Sequence, residues 1–185
     1  MLFRSETGTS AWGCDSSRLF DAIANFNNGM FFSVDIRPEA SQWLRHQTRG
    51  DSRFFVEDSV SFLTNTLPHH ILGNIVGFAY LDSFDLDFSN PQPSEMHCLQ
   101  ELRALLKFLS VGSIVAIDDT PATLEECPPE SREMAVAYLT STGRLPGKGS
   151  MVLEKIKGNP SFQIIWHSEI DRKSTRLNSS HANIS

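Results

Sequence analysis

Four short apolar runs, each followed by an aspartate, constrain this chain more than any other feature. They are MFFSVD ending at Asp35, RFFVED ending at Asp58, IVGFAYLD ending at Asp82 and SIVAIDD ending at Asp118 and Asp119. Short apolar runs bounded by polar residues are typical of buried parallel strands. Because the carboxyl ends of parallel strands lie along one edge of a sheet, the sequence predicts a row of carboxylates there.

Segments with helical periodicity lie between these runs. The first is capped by Asp15 or Ser16, carries Leu19 and Ile23 on one face, and stops near Gly29. Further helices are predicted from Pro38 through Leu44, over residues 59–66, from Ser94 with a leucine stripe at Leu99, Leu102, Leu106 and Leu109, and from about Glu130 to Tyr138. Alternating strands and helices predict an α/β fold, a Rossmann-like, doubly wound and mostly parallel sheet.

Two further segments, MVLEKI and FQIIWH, follow the last predicted helix. Both are short and apolar, and Gly158, Asn159 and Pro160 between them favour a turn. We therefore predict two antiparallel strands here, joined by that turn, at one edge of the sheet.

The two ends of the chain, residues 1–5 and 171–185, read as translated sequencing adapter. The head MLFRS and the tail DRKSTRLNSSHANIS each match a reading frame of an adapter that is common in short-read sequencing. Such segments are set aside in reasoning about a fold. We expect residues 6–170 to be the natural part, a single partial domain whose first strand is truncated before Glu6. A sheet without its own central strand is expected to be poorly stable and inactive.

The stretch ETGTS, Glu6 to Ser10, would close that first strand. It combines an acidic residue with a turn at Gly8, followed by Thr9 and Ser10. Glycine lets the backbone approach a ligand closely, and the helix that follows offers unpaired N–H groups to an anion. The turn is therefore a candidate ligand loop.

Composition excludes several classes of function. The net charge is −6, whereas binding to nucleic acid needs a basic face. No apolar run approaches the roughly 20 residues of a membrane span. The three cysteines form no CxxC pair, which argues against a zinc site or a disulfide framework. We therefore predict a cytoplasmic protein that binds neither nucleic acid nor membranes.

The ordered set of acidic strand ends resembles the class I S-adenosylmethionine-dependent methyltransferases. In that family an acidic residue and a glycine turn close the first strand, as Glu6, Gly8, Thr9 and Ser10 would here. The usual EXGXG core is altered, because Ser10 stands in place of the second glycine. The resemblance implies that this turn holds the methionine part of the cofactor.

The other acidic ends are similar to further binding positions of the family. The resemblance implies that Asp35 accepts hydrogen bonds from the ribose hydroxyls and that Asp58 and Ser59 lie beside the adenine. Asp82 matches the end of the fourth strand and completes the cofactor set. The implied methyl acceptor is an oxygen of a small molecule.

The pair YLDSFD and IVAIDD also resembles the acidic set of cation-dependent O-methyltransferases. The resemblance implies a metal site formed by Asp82, Asp118 and Asp119, and oxygen ligands favour Mg²⁺. His97, in the first turn after Ser94, is a candidate general base because its unperturbed pKa is near neutral.

Two alternative functions and one further motif remain at this stage. An NAD-type oxidoreductase needs G-x-G-x-x-G near the first strand, and the glycines here do not fit that pattern. A non-catalytic Rossmann-like module is the other alternative. Lys148 in GKG lacks the frame of a phosphate-binding P-loop, so we predict that it lies in an ordinary loop.

Overall fold

A computed structural model of the chain describes residues 2–6, 15–48, 52–71, 73, 75–167 and 180–184. The strands in these residues are β1 (Leu2–Glu6), β2 (Phe31–Asp35), β3 (Arg53–Val56), β4 (Phe78–Asp82), β5 (Ser113–Ile117), β6 (Phe162–Trp166) and β7 (Ser180–Ile184). They form one sheet in the order β3-β2-β1-β4-β5-β7-β6.

The sheet is parallel from β3 to β5, and β7 runs antiparallel to both β5 and β6. Since β6 is antiparallel to β7, it points in the same direction as β5. The predicted Rossmann-like, mostly parallel α/β sheet is therefore confirmed. We predicted that the antiparallel strand would lie at the edge of the sheet. It is instead the second strand from that edge.

Helices cover both faces of the sheet. They are α1 (Asp15–Phe26), α2 (Pro38–Gln47), α3 (Ser59–Ser61), α4 (Leu67–Ile71), α5 (Gln92–Leu105), α6 (Arg132–Thr142) and α7 (Ser150–Ile156). A π-helical turn, Phe62–Thr66, joins α3 to α4 without a break. Among the described residues, no helix is both long and apolar enough to cross a membrane.

Each face of the sheet has its own core. On one face α1 and α2 contribute to a small aromatic cluster around Phe31, Leu44 and Phe54. On the other face a larger cluster joins the α3–α4 segment, α5 and α7 to the central strands, with Phe62 and Leu102 among its buried members. This double covering is what buries continuous apolar strands such as FFSVD.

The predicted helix α5 has different ends from those expected. It begins at Gln92, because Pro91 and Pro93 suit a helical first turn. It ends at Leu105, after which Leu106 starts a short 3₁₀ turn and is exposed. Of the predicted leucine stripe Leu99 and Leu102 are buried, and Leu105 is buried where Leu106 was expected.

The prediction of a strand at MVLEKI is wrong. These residues lie in helix α7, whose buried side chains Val152 and Ile156 are four positions apart. That spacing fits one face of a helix, and a short apolar run does not distinguish the two periods. The predicted turn at Gly158 exists, but it connects α7 to β6 rather than two strands.

Strand β7 and all of β1 except Glu6 fall in the two segments that we assigned to adapter. The central position predicted to be truncated is filled by Leu2–Glu6, which pairs with β2 on one side and β4 on the other. Ser180–Ile184 pairs with β5 and β6. Sheet hydrogen bonds join main-chain groups, so these positions accept an extended segment of many sequences. The adapter origin of residues 1–5 and 171–185 stays a prediction.

Candidate functional site

The strand register brings the acidic residues together at the carboxyl edge of the sheet. Glu6 is the register partner of Asp35 on β2 and of Asp82 on β4. Asp118 follows β5 directly, and its main-chain N–H donates to the carbonyl of Leu81. The backbone thus places these four acids along one edge. Gly8, Thr9 and Ser10 of the predicted ligand turn lie outside the described residues.

A pocket of about 150 Å³ opens at this edge, where β2, β3 and β4 end. Its lining residues are Val34, Ile36, Glu57, Asp58, Ser59, Ser83, Phe84 and His97. Ser59 Oγ donates to Ser83 Oγ at 3.3 Å, and His97 Nε2 lies 2.9 Å from Ser59 Oγ. Three residues from three separate elements, two of them predicted site residues, therefore form one polar wall.

Asp58 lies at the mouth of this pocket. Its Oδ1 accepts a hydrogen bond of 2.8 Å from the main-chain N–H of Ser61 and so caps the helix that begins with α3. Its side chain is 52% exposed, and Oδ2 lies 4.0 Å from His97 Nε2. One oxygen therefore has a structural task, while the other faces the pocket histidine.

Asp35, by contrast, is buried and paired with a near neighbour. Its Oδ1 accepts from the main-chain N–H of Arg37 at 2.8 Å and from Arg37 Nε at 3.3 Å. Arg37 Nη2 lies 3.4 Å from Oδ2, a long contact. A carboxylate offers about four acceptor positions, so Asp35 keeps capacity on Oδ2.

Phe84 and His97 together border a second pocket, of about 400 Å³. The remaining lining residues are Asn90, Gln92, Pro93, Met96 and Gln100. The rings of Phe84 and His97 lie 5.5 Å apart. Phe84 has a φ of 63°, an uncommon conformation for a bulky residue that often accompanies function. These two side chains form the wall between the pockets, and sequence reasoning missed Phe84.

Lys148 dominates the other half of the edge, where β4 and β5 end. Its Nζ lies 2.7 Å from Asp82 Oδ1 and 3.0 Å from Asp119 Oδ2. The lysine side chain is 2% exposed. Burial alone would lower the pKa of Lys148, but the charges of Asp82 and Asp119 and their hydrogen bonds raise it above its ordinary value. The buried ammonium is therefore charged.

The loop that carries Lys148 is packed tightly against the end of β5. The main-chain N–H of Lys148 donates to the carbonyl of Asp119, and that of Gly149 donates to Thr120 Oγ1, both at 3.0 Å. A Cβ atom at Gly149 would come within 2.7 Å of Thr120 Oγ1. Glycine at this position therefore allows the close approach that seats the ammonium between its carboxylates.

The three predicted metal ligands each have a protein partner. Asp82 and Asp119 bind Lys148, while Asp118 Oδ2 accepts a hydrogen bond of 2.6 Å from the Tyr80 hydroxyl. Within the described residues, no three acidic, histidine or cysteine side chains are grouped as a metal site requires. This donor set does not fit Mg²⁺. The sequence did contain a signal for the role of Lys148. Clustered carboxylates require a nearby cation, and the lysine of GKG was available to supply it.

Comparisons with other proteins complete the description of the site. No protein-family model matches the chain, and no curated protein matches it in sequence. Solved structures do match. CalS11, a TDP-rhamnose 3'-O-methyltransferase of calicheamicin biosynthesis, is 15% identical, with a TM-score of 0.58 over 98% of this chain and 70% of its own.

Two other solved structures are similar to the chain. A SAM-dependent methyltransferase from Methanosarcina mazei is 12% identical, with a TM-score of 0.51 over 99% of this chain and 90% of its own. LepI in complex with SAM is 13% identical, with a TM-score of 0.53 over 100% of this chain and 43% of its own. At these identities the likeness shows the fold, which the chain shares with methyltransferases.

Proposed function

We propose that the chain is an S-adenosylmethionine-dependent methyltransferase whose acceptor is an oxygen of a small molecule. The observation that carries this proposal is the small pocket where β2, β3 and β4 end, with Asp35 as the last residue of β2. In open α/β sheets ligands bind at this edge. The fold shared with methyltransferases supports the same reading.

The pocket has the chemistry that an adenine ring needs. Adenine is flat and apolar on its faces and carries donors and acceptors on its rim. Phe84 offers an aromatic face, while Ser59 and Ser83 offer hydroxyl groups, and Asp58 a carboxylate, to the rim. A mostly apolar cleft with a few placed polar groups is the usual form of such a site.

Asp35 fits a ribose with one qualification. Because Arg37 occupies Oδ1, one ribose hydroxyl can donate to Oδ2 while the arginine stays in place. Bidentate binding of two hydroxyls requires the Arg37 side chain, which is 33% exposed, to swing outward. Arg37 therefore competes with the cofactor for this carboxylate.

His97 is our proposed general base. When bound, S-adenosylmethionine would supply an electrophilic methyl group to an acceptor hydroxyl, and His97 would take the proton that this hydroxyl loses. His97 borders both pockets, which is where a base between cofactor and acceptor belongs. Its Nε2 contacts Ser59, so the serine also fixes the orientation of the ring.

Calorimetry on the full 185-residue chain tests the proposal. We expect S-adenosylhomocysteine to bind, and Asp35→Asn to weaken that binding about tenfold through the loss of a charged acceptor. The matched control is Asp87→Asn, because Asp87 lies in the loop after β4 and its hydrogen bonds are to the nearby residues Ser89 and Asn90. Circular dichroism checks that each variant is folded.

The same titration discriminates between the competing functions. Binding of NAD⁺ without S-adenosylhomocysteine would favour an oxidoreductase and contradict the proposal. Binding of neither ligand by a folded chain would favour the non-catalytic module.

A further inference from the structure

The half of the edge formed by β4 and β5 presents a charge problem. Asp82, Asp118 and Asp119 lie on adjacent strand ends, and like charges at short range oppose ionisation unless a cation intervenes. In principle a divalent metal or a protein cation can supply that charge. The contacts of the described residues decide between these two solutions.

Lys148 occupies one oxygen of each of the two carboxylates that a shared metal would bridge. Its Nζ lies within hydrogen-bonding distance of both Asp82 Oδ1 and Asp119 Oδ2. A metal bound between these two oxygens would stand where the ammonium is now. Two cations cannot share this space, because they would repel each other at contact distance.

The lysine is also held too firmly to move aside at little cost. Its side chain is 2% exposed, and its loop is bonded to Asp119 and Thr120 through main-chain groups. Displacing the ammonium would break its contacts with Asp82 and Asp119, and the bonded loop leaves its side chain little room to turn away. By contrast, the carboxylates it holds reach the surface, Asp82 at 19% and Asp119 at 51% exposure.

We propose that Lys148 is the resident cation of this edge and replaces a divalent metal there. It acts as a positioning residue, because its buried ammonium holds Asp82 and Asp119 in place at the carboxyl ends of β4 and β5. For methyl transfer this role rests on the proposed function. The occupation of the cation position does not, since it follows from the contacts alone.

Removal of the lysine is therefore expected to create a metal site. In Lys148→Ala the two carboxylates keep their strand positions but lose their cation, and oxygen ligands bind hard divalent ions. Lys148→Gln preserves more of the side-chain volume if the alanine variant does not fold. The matched control is Lys155→Ala, because Lys155 is exposed on the neighbouring helix α7.

The experiment is a Mn²⁺ titration followed by electron paramagnetic resonance on these full-length chains, without cofactor or acceptor. We expect no saturable site in the wild type or in Lys155→Ala. The Lys148 variants should gain a saturable site that binds Mn²⁺ at least about tenfold more tightly than the wild-type chain does. Adding Asp82→Asn to these variants should remove that site.

Two results would overturn the proposal. One is a saturable Mn²⁺ site in the wild-type chain that Asp119→Asn abolishes. The other is a folded Lys148 variant that binds Mn²⁺ no better than the wild type. If neither variant folds, the wild-type titration decides by itself. None of these outcomes depends on S-adenosylhomocysteine binding, so the proposed function can fail separately.

Discussion

The two halves of the carboxyl edge begin with the same sequence signal and end in different states. Where β2 and β3 end, Asp35 and Asp58 are bonded to groups two and three residues away, and a pocket opens beside them. Where β4 and β5 end, Asp82 is bonded to Lys148, 66 residues further along the chain, and the two opposite charges form an ion pair. An acidic residue at a strand end thus predicts where a carboxylate lies. The hydrogen-bonding partner of that carboxylate determines whether it is available to a ligand.

The halves should therefore differ in what a single substitution costs. In the first half the hydrogen bonds of Asp35 and Asp58 are local, so their loss should affect ligand binding more than folding. In the second half a buried charge connects two strands to a distant loop, so its loss should affect folding first. Three substitutions, the first of them with a pH dependence, test this difference, from the largest expected effect to the smallest.

Removal of Lys148 should have the largest effect on stability. Lys148→Met leaves Asp82 and Asp119 without their cation, and we expect the free energy of unfolding to fall by about 3 kcal/mol. This is the lower end of the usual range, because Asp119 is half-exposed. Urea denaturation measures the loss, with Lys155→Met as the exposed control. A loss of unfolding free energy no larger than in that control would contradict the expected difference between the two halves of the edge.

The pH dependence of this loss has a definite sign. The pKa of Lys148 is raised in the folded chain, so the lysine stabilises most below its unfolded pKa, about 10.4, and loses that contribution as pH rises through the folded value. The difference in unfolding free energy between wild type and Lys148→Met should therefore stay constant from about pH 7 to pH 9. A steady decline over that interval would show that the ammonium deprotonates more easily than its contacts imply.

Gly149→Ala should have the next largest effect. The added Cβ would meet Thr120 Oγ1 at 2.7 Å in the tightly packed loop, and we expect a loss of about 1–3 kcal/mol. Gly29→Ala is the control, since its Cβ would make an ordinary contact of 3.5 Å with the carbonyl of Ala24. That variant should stay within about 0.5 kcal/mol of wild type. Equal effects in thermal melts would mean that the loop adapts freely.

Asp58→Ala should have the smallest effect on folding. It removes the cap from the helix that begins with α3, which typically costs about 1 kcal/mol. The control, Asp85→Ala, changes an exposed aspartate in the loop after β4. A stability loss in Asp58→Ala as large as that of Lys148→Met would remove the distinction between the two halves.

Sequence reasoning succeeded where local pattern determines structure. Apolar runs such as SIVAI predicted buried strands, and the acidic residue after each run predicted the edge where the pocket lies. These features depend on neighbours within a few residues. The doubly wound fold follows from their alternation along the chain, which requires no knowledge of distant contacts.

The failures concern contacts between distant segments. MVLEKI forms a helix because Val152 and Ile156 both pack into the larger core. No short window of the sequence reveals that packing. Lys148 does lie in a loop, as predicted, but its buried ion pairs were missed because its partners are far away in sequence. Phe84 was missed for a similar reason: its importance comes from separating two pockets, which only the assembled fold defines.

The wall formed by Phe84 and His97 has a thermodynamic consequence. Ligands in the two pockets would contact the same two side chains, so we expect binding in one pocket to change the affinity of the other. By linkage, the factor by which the first ligand changes the affinity of the second equals the reverse factor. Because Phe84 lines both pockets, we expect a substitution there to change both affinities and not the selectivity for one ligand alone.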